Sequence, residues 1–252
     1  MDSCAFSDGS SPRTLAARDA ADPQDFTAPN EGWSMVSITV DGKTIEAEEG
    51  SSLLQACLDH GIYIPNLCFL KEMDKPTGSC RLCIVELEGE EKPVASCGVK
   101  VKEGMVVRTD TPHLRQLQRV DFQLIMSAHH MECKNCLSRK KCELQKIAKT
   151  LEVRLKPTKF EELGRDLAVL KHPCFDLLPA RCILCRKCLF VCGQNNEKPL
   201  LRLVRNGYES VIEATCEGED PDKLPCRYCL ACVEACPVSA IVPVARELDR
   251  GV

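Results

Sequence analysis

Two cysteine runs in the second half of the chain share one spacing. CILCRKCLFVC and CRYCLACVEACP both read C-x2-C-x2-C-x3-C. Three thiolates at this spacing wrap three corners of an iron-sulfur cube, and the fourth reaches the other cube of the pair. A zinc ion would use two C-x2-C pairs and leave the remaining cysteines without a role. We therefore predict one [4Fe-4S] cluster on Cys182, Cys185, Cys188 and Cys236, and a second on Cys226, Cys229, Cys232 and Cys192.

A third cysteine set lies nearer the start of the chain, at Cys68, Cys80, Cys83 and Cys97. Eleven residues separate its first two members, and the next two form a C-x2-C pair. This arrangement suits a planar [2Fe-2S] cluster, in which each iron takes two sulfurs, although the spacing alone leaves zinc open. A hairpin followed by a helix precedes the set, and that context favours iron.

The segment HHMECKNCLSRKKC offers His129, Cys133, Cys136 and Cys142 as a fourth ligand set. One histidine and three cysteines make a good zinc site as well as a good cube site, and the segment alone does not separate them. If residues 129 to 133 are helical, His129 and Cys133 share a face because they are four residues apart. His130 is then expected at the surface.

The other thiols and imidazoles have no complete partner pattern. We expect Cys57 to be packed on a helix face, Cys174 and Cys216 to be packed thiols, Cys4 to be a free thiol, and His60 and His113 to be structural or exposed. No catalytic residue is predicted, and no cofactor-binding residue beyond the cluster ligands.

The elements around the first thiol set predict a small mixed sheet that clasps one helix. MVSITV and KTIEA alternate in polarity on either side of Asp41 and Gly42, which is a strong hairpin signal. A helix then begins after Ser51 or Ser52, with Leu53, Leu54, Cys57 and Leu58 on one face and Gly61 as its stop. RLCIVELEG, KPVASCGVK and GMVVRTD supply further short strands.

A longer helix leads to the histidine-containing segment. Thr111 is its N-cap and Pro112 its first residue. Its apolar positions follow helical spacing at Leu114, Leu117, Val120, Leu124 and Ile125. CELQKIAKTLEV predicts a second amphipathic helix, and LLRLVRNGYESVIEA predicts a hairpin between the two cysteine runs.

These elements predict an α+β chain with five parts. They are an N-terminal extension that we expect to be flexible, a [2Fe-2S] β-grasp domain, a helical [4Fe-4S] domain with one His and three Cys ligands, a connector, and a two-[4Fe-4S] domain like that of bacterial ferredoxins. Their ranges are 1–33, 34–111, 112–152, 153–174 and 175–252.

Composition narrows the class of protein. The chain has 252 residues, 19 cysteines and a net charge of -4. Thiols at this density indicate metal or disulfides, and nothing in the first thirty residues reads as a secretory signal. With no apolar run of about 18 residues, we expect a cytoplasmic protein with no membrane span. Its acidic balance argues against nucleic acid as a partner.

Taken in order, the ligand sets over residues 35 to 245 resemble those of one family. C-x11-C-x2-C-x13-C, then H-x3-C-x2-C-x5-C, then the paired runs are similar to the N-terminal iron-sulfur region of the complex I large subunit. They are also similar to the diaphorase iron-sulfur subunit of NAD-reducing hydrogenases, and to modules of NAD-linked formate dehydrogenases and iron-only hydrogenases. The first gap is one residue longer than in most relatives. The resemblance implies a [4Fe-4S] cluster on His129, Cys133, Cys136 and Cys142.

The resemblance further implies an electron-transfer subunit of a soluble NAD(P)-linked oxidoreductase complex. It would carry one [2Fe-2S] and three [4Fe-4S] clusters between a flavin- and NAD(P)-binding subunit and a second catalytic subunit. We expect no NAD or FMN site in this chain, because no glycine-rich fingerprint follows a strand, and no room for a catalytic domain after Cys236. The alternatives are a free-standing polyferredoxin carrier, a succinate dehydrogenase type subunit and a multi-zinc interaction protein.

Overall fold

The computed structural model describes residues 34–156, 168–205, 207–215 and 226–244. Its first part is a five-stranded sheet in the order β2-β1-β5-β3-β4, with β1 and β5 parallel. The strands are β1 (Met35–Val40), β2 (Lys43–Glu48), β3 (Ile84–Leu87), β4 (Val94–Ala95) and β5 (Val106–Arg108). The predicted hairpin is confirmed, since β1 and β2 pair across Asp41 and Gly42, which both have positive φ.

The first helix, α1 (Leu53–Asp59), lies over this sheet as predicted. Ser52 is at its N-cap position, but no side-chain cap bond forms, because the Ser52 hydroxyl donates to the Cys97 carbonyl instead. Leu53, Leu54 and Cys57 are fully buried against the inward-facing residues of β1 and β2. The helix ends before Gly61, whose φ is +73°. Sheet and helix therefore close a core of their own.

The second helix, α2 (Pro112–Ala128), begins as predicted, because the Thr111 hydroxyl accepts from the Leu114 amide. Its predicted apolar face is partly wrong, since Val120 is 49% exposed and Leu124 58% exposed. The buried positions are Leu114, Gln118, Phe122, Met126 and Ser127. Gln118 occupies the buried face because its amide donates to the Leu82 carbonyl, a polar role that apolar periodicity does not detect.

The predicted second amphipathic helix is α3 (Glu143–Thr150), which buries Leu144, Ile147 and Ala148. Two arginines of α2 satisfy carbonyls at its C-terminal end. Arg119 Nε donates to the Leu151 carbonyl at 2.8 Å, and an Arg115 Nη atom lies 3.4 Å from the Thr150 oxygen. These bonds attach α3 to α2.

The last part contains a small sheet that the sequence did not suggest. β7 (Phe175–Leu177) pairs with β6 (Leu170–Lys171) on one side and with β10 (Ile241–Pro243) on the other. These strands are two or three residues long, too short for a periodic signal. The predicted hairpin is confirmed as β8 (Leu201–Val204) and β9 (Val211–Ala214). The helices here are α4 (Lys187–Asn195) and two single turns, α5 (Cys226–Cys229) and α6 (Ala231–Glu234).

One apolar cluster joins residues from every ligand-bearing part of the chain. Phe122, Ile147 and Leu151 are fully buried in it. They pack in one cluster with Leu67 and Leu82 beside the first thiol set. Val238 and Ala240, which follow the second cysteine run, and Cys185 of the first run belong to the same cluster. The predicted parts of the chain thus share a core over the described residues.

Candidate iron-sulfur sites

The first thiol set is buried and converged. Cys68, Cys80, Cys83 and Cys97 are each no more than 6% exposed. The first three come from the loop that ends where β3 begins, and Cys97 comes from the turn after β4. The Sγ atoms of Cys68 and Cys80 are 3.4 Å apart, and the thiols of Cys83 and Cys97 share a hydrogen bond. The four sulfurs therefore form two neighbouring pairs.

Within each pair, one thiol has a lowered pKa and the other has a raised pKa. The hydrogen bond with Cys80 lowers the pKa of Cys68, and the one with Cys83 lowers the pKa of Cys97. The pKa values of Cys80 and Cys83 are raised, first by the same shared protons and then by burial. Each pair is therefore poised to hold one proton between two sulfurs. Thiolates are the form that binds metal, and a bound metal displaces the remaining protons.

Backbone and side-chain bonds hold the loops that carry these thiols. The Ser96 hydroxyl and amide both donate to the Cys83 carbonyl, at 2.7 and 2.9 Å. Gln118 of α2 donates to the carbonyl of Leu82, within the C-x2-C pair, at 3.1 Å. Neither Ser96 nor Gln118 is among the sequence-predicted site residues. In the sequence, the position of Ser96 next to Cys97 was the one sign of its role. Nothing in the sequence marked Gln118 as a residue of the site.

The imidazole of His129 is buried and oriented by one hydrogen bond. Its Nδ1 lies 2.8 Å from the Arg181 carbonyl oxygen. A carbonyl only accepts, so Nδ1 carries the proton and Nε2 keeps a lone pair for a ligand. Burial lowers the pKa of His129, which favours the neutral ring. This is the tautomer and charge state that a metal-binding histidine needs.

The expected reason for choosing His129 over His130 was wrong. α2 ends at Ala128, and His129 is extended, with φ -98° and ψ 116°, so His129 and Cys133, which begins a separate 3-10 turn, do not share one helix face. The two histidines nevertheless differ as expected in exposure. His130 is exposed, and its amide donates to the Ala180 carbonyl at 2.8 Å. The tertiary contact with Arg181, rather than a helix face, distinguishes them.

The three cysteines of this segment line one cavity with His129. Cys133 is exposed on a short 3-10 turn, and Cys136 and Cys142 are partly buried. Cys142 occupies the N-cap position of α3, where its side chain makes no cap hydrogen bond. Burial, the larger effect, raises the pKa of Cys142, and the nearby backbone amides of Gln145 and Leu144 lower it. The four predicted side chains are thus brought together at the end of a helix.

The structure places the last cysteine of the second run beside the first three cysteines of the first run. Cys236 lines the same cavity as Cys182, Cys185 and Cys188. Burial raises the pKa of Cys185 to about 12, and the neighbouring Cys236 thiolate adds to the effect. The Ala240 amide donates to Cys236 Sγ at 3.2 Å. Amide bonds of this kind stabilise thiolate ligands.

In the other set, Cys192 lies beside the second run. Burial raises the pKa of Cys232 to about 12, with Cys192 the largest neighbouring charge and Cys229 the next. The Leu200 amide donates to Cys192 Sγ at 3.3 Å, and Asn195 donates to Cys229 Sγ at 3.4 Å. Cys226 is buried in the same apolar cluster as Cys192 and Cys232. The structure assembles each set of thiols, and ligation by them stays a prediction.

The remaining predicted residues fall outside these sets. Cys57 and Cys174 are buried, at 0% and 2% exposure. His60 Nδ1 bonds to the Ala56 carbonyl, and His113 is exposed near Glu86. Cys4 and Cys216 lie outside the described residues. Within the described ranges, no three His, Cys, Asp or Glu side chains are placed to hold a single metal ion between them.

Arg181 is a buried residue of this region that motif spacing did not single out. It is 8% exposed and forms an ion pair with Glu132. Its position directly before Cys182, within a group of basic residues, was the available signal. None of the helices in the described ranges is both long and apolar enough to cross a membrane.

Comparison with known proteins agrees with this arrangement. Residues 34–112 match the family described as 2Fe-2S iron-sulfur cluster binding domain. The chain is 34% identical over 208 residues to the alpha subunit of NADPH-Fe(3+) oxidoreductase from Geobacter sulfurreducens, covering 82% of this chain and 24% of the relative. It is 30% identical over 232 residues to the mitochondrial NADH-ubiquinone oxidoreductase 78 kDa subunit from Neurospora crassa, covering 91% and 30%.

A solved structure is similar along most of the described fold. It is a chain of an NAD+-reducing [NiFe]-hydrogenase in the H2-reduced state, with a TM-score of 0.73 and 27% identity. The match covers 86% of this chain and 91% of that one. The chain spans less than a third of the length of either sequence relative. The expected resemblance is therefore confirmed: residues 34–112 match the 2Fe-2S iron-sulfur cluster binding domain family, and the chain is similar to subunits of an NADPH-Fe(3+) oxidoreductase and an NADH-ubiquinone oxidoreductase and to a chain of an NAD+-reducing hydrogenase.

Proposed function

We propose that this chain is a multi-cluster electron-transfer subunit of an NAD(P)-linked oxidoreductase complex. The observation that carries the proposal is that three of the four ligand sets place residues in one apolar cluster, while the fourth lies in a second cluster that Cys182 also packs against. A single ferredoxin-like domain would need only one or two of these sets. A chain that holds several redox groups in fixed relation to one another is suited to relaying electrons.

The ligand sets divide among four clusters. The first thiol set would hold a [2Fe-2S] cluster, its two sulfur pairs each serving one iron. The remaining three would hold [4Fe-4S] clusters. They are His129 with Cys133, Cys136 and Cys142; Cys182, Cys185 and Cys188 with Cys236; and Cys226, Cys229 and Cys232 with Cys192. When bound, such clusters supply one-electron redox chemistry.

The chain's own residues position and tune these groups. Ligands such as Cys83 and Cys185 are buried, so water is kept away from the sites and the local dielectric constant is low. Amides that donate to Cys192 and Cys236 stabilise negative charge on the sulfurs. The Arg181 carbonyl holds His129 with Nε2 free to bind. Each contact acts on a ligand and none needs a substrate site in this chain.

The names of the relatives support two kinds of partner. They describe oxidoreductases that use NADPH or NADH, and a hydrogenase that reduces NAD+. We propose a flavin- and NAD(P)-binding subunit on one side and a second catalytic subunit on the other. Copurification of a flavoprotein with the chain from its native source would support this. A monodisperse monomer that no flavoprotein retains would favour a free-standing polyferredoxin carrier.

Metal and sulfide analysis of anaerobically purified chain tests the cluster assignment. One [2Fe-2S] and three [4Fe-4S] clusters predict about fourteen irons and as many sulfides per chain. Iron near eight or ten with zinc present would contradict one or more sites. A colourless protein with zinc alone would contradict the proposed function.

His129 provides a more specific test of one cluster. A neutral imidazole in place of a thiolate makes a cluster less negative, so it raises the reduction potential relative to an all-cysteine cube in the same surroundings. His129→Cys is therefore expected to lower that potential in an EPR-monitored redox titration. A rise, or no change, would contradict ligation by His129. His130→Cys is the matched control and is expected to leave the potential unchanged.

A further inference from the structure

Arg181 is a buried cation beside the His129 ligand set. Its side chain is 10% exposed and lines the cavity that His129, Cys133 and Cys142 also line. Its Nη2 donates to Glu132 Oε2 at 2.7 Å. Its main-chain carbonyl accepts from His129. Arg181 therefore holds one ligand through its backbone, while its side chain forms part of the cavity wall.

A buried guanidinium has a high desolvation cost, so it needs compensating negative charge. Glu132 supplies part of that charge, but its side chain is 46% exposed and water screens it more than it screens the buried arginine. Cys133, Cys136 and Cys142 also line this cavity and would be anionic as thiolate ligands of a bound cluster. The arrangement places the positive charge of Arg181 in the buried cavity wall and the negative charge of Glu132 on its solvent side.

Resting on the proposed function, we propose that the Arg181 side chain raises the reduction potential of the cluster held by the His129 set, and that Glu132 opposes it. Reduction adds one negative charge to a cluster. A fixed positive charge nearby stabilises the reduced form more than the oxidised form, so the potential rises. Arg181 is thus a tuning residue that acts through space, separate from its carbonyl bond to His129.

Side-chain substitution separates the two roles of this residue. The carbonyl that orients His129 belongs to the backbone and persists in Arg181→Gln. Arg181→Lys keeps the charge but loses the planar fork that meets Glu132. Glu132→Gln removes the opposing charge and leaves Arg181 in place. Arg139→Gln is the matched control, because Arg139 lines the same cavity but is exposed and screened by water.

The experiment is an EPR-monitored redox titration of the anaerobically purified full chain and these variants. We expect a more negative potential for this cluster in Arg181→Gln and a more positive one in Glu132→Gln. Arg181→Lys should stay closer to the parent than Arg181→Gln, and Arg139→Gln should shift least. The opposite signs are decisive, because a purely structural ion pair would be broken equally from either end.

Shifts of the same sign in Arg181→Gln and Glu132→Gln, or no shift in either, would overturn the inference. If Arg181→Gln does not fold, Glu132→Gln and Arg181→Lys carry the test, and a potential in Glu132→Gln at or below that of the parent overturns it. His129→Ala identifies the titrated signal. If iron content and EPR spectrum in His129→Ala equal those of the parent, this set holds no cluster, and the proposed function fails with the inference.

Discussion

The first thiol set and the His129 set are held by different means. Cys68, Cys80, Cys83 and Cys97 lie within one sheet-and-helix unit and are all buried. The His129 set lies after a helix, on turns with an exposed Cys133, and its imidazole is held by a carbonyl 52 residues away. Local strand pairing builds the first site, whereas long-range contacts complete the second.

This difference predicts different tolerance to change. A buried ligand has no substitute when it is removed, because water does not reach the iron that it would leave. An exposed ligand position is open to water and to neighbouring donors. Substitution of one ligand in the first set should therefore abolish cluster binding there, whereas substitution of an exposed ligand in the second set should reduce cluster binding only in part.

The largest expected effect comes from comparing Cys83→Ser with Cys133→Ser. Cys83→Ser should remove the whole [2Fe-2S] cluster, about two of fourteen irons, and destabilise the domain, because Cys83 is 1% exposed and pairs with Cys97. Cys133→Ser should keep most of its cluster, since the position is open to solvent. Iron analysis and EPR measure both. Complete cluster loss in Cys133→Ser alone would reverse the comparison.

Substitution of Phe122 tests whether the stabilities of the two regions depend on the same buried cluster. It is fully buried in the cluster that contains both Leu82 and Ile147. Phe122→Ala should lower the free energy of unfolding by about 3 to 5 kcal/mol and weaken cluster retention in both regions. Urea unfolding with iron analysis checks this.

Val120→Ala is the matched control for Phe122→Ala, because Val120 is on the same helix and 49% exposed. Its effect should stay within about 0.5 kcal/mol. Equal effects of the two substitutions would contradict the buried face assigned to α2.

Thr111→Ala tests the start of the helix that connects the regions. The Thr111 hydroxyl accepts from the Leu114 amide and donates to Glu86. Its loss should cost about 1 kcal/mol of stability, measured as a fall in thermal midpoint. Thr111→Ser keeps the hydroxyl and should remain near the parent. A Thr111→Ser variant as unstable as Thr111→Ala would exclude the cap as the cause.

The smallest expected effect is that of Cys57→Ala on stability. It is confined to alkaline pH and to the first region. Burial, with Asp41 adding to it, raises the pKa of this thiol to about 11. The unfolded chain loses this proton near pH 9, before the folded chain does, so stability should fall between about pH 9 and 11. Cys57→Ala should reduce that slope in urea unfolding. Equal slopes in parent and variant would contradict the shift.

Much of the architecture was predictable because its signals are local. The hairpin at Asp41 and Gly42 and the cap at Thr111 need only neighbouring residues, and both were predicted correctly. The face of α2 was predicted in part, since Leu114 is buried but Val120 is exposed. Gln118 replaced an apolar residue on the buried face, because its bond to a distant carbonyl decides which side faces inward.

The sequence by itself determined the candidate ligands and their grouping, because cluster binding requires particular residue types at short, regular spacing. It also indicated the exchange of Cys192 and Cys236 between the two runs. Only the tertiary structure decided which sulfurs pair in the first set, which imidazole nitrogen stays free, and where the charge of Arg181 lies. Those features depend on contacts between residues far apart in the chain, and no local pattern records such contacts.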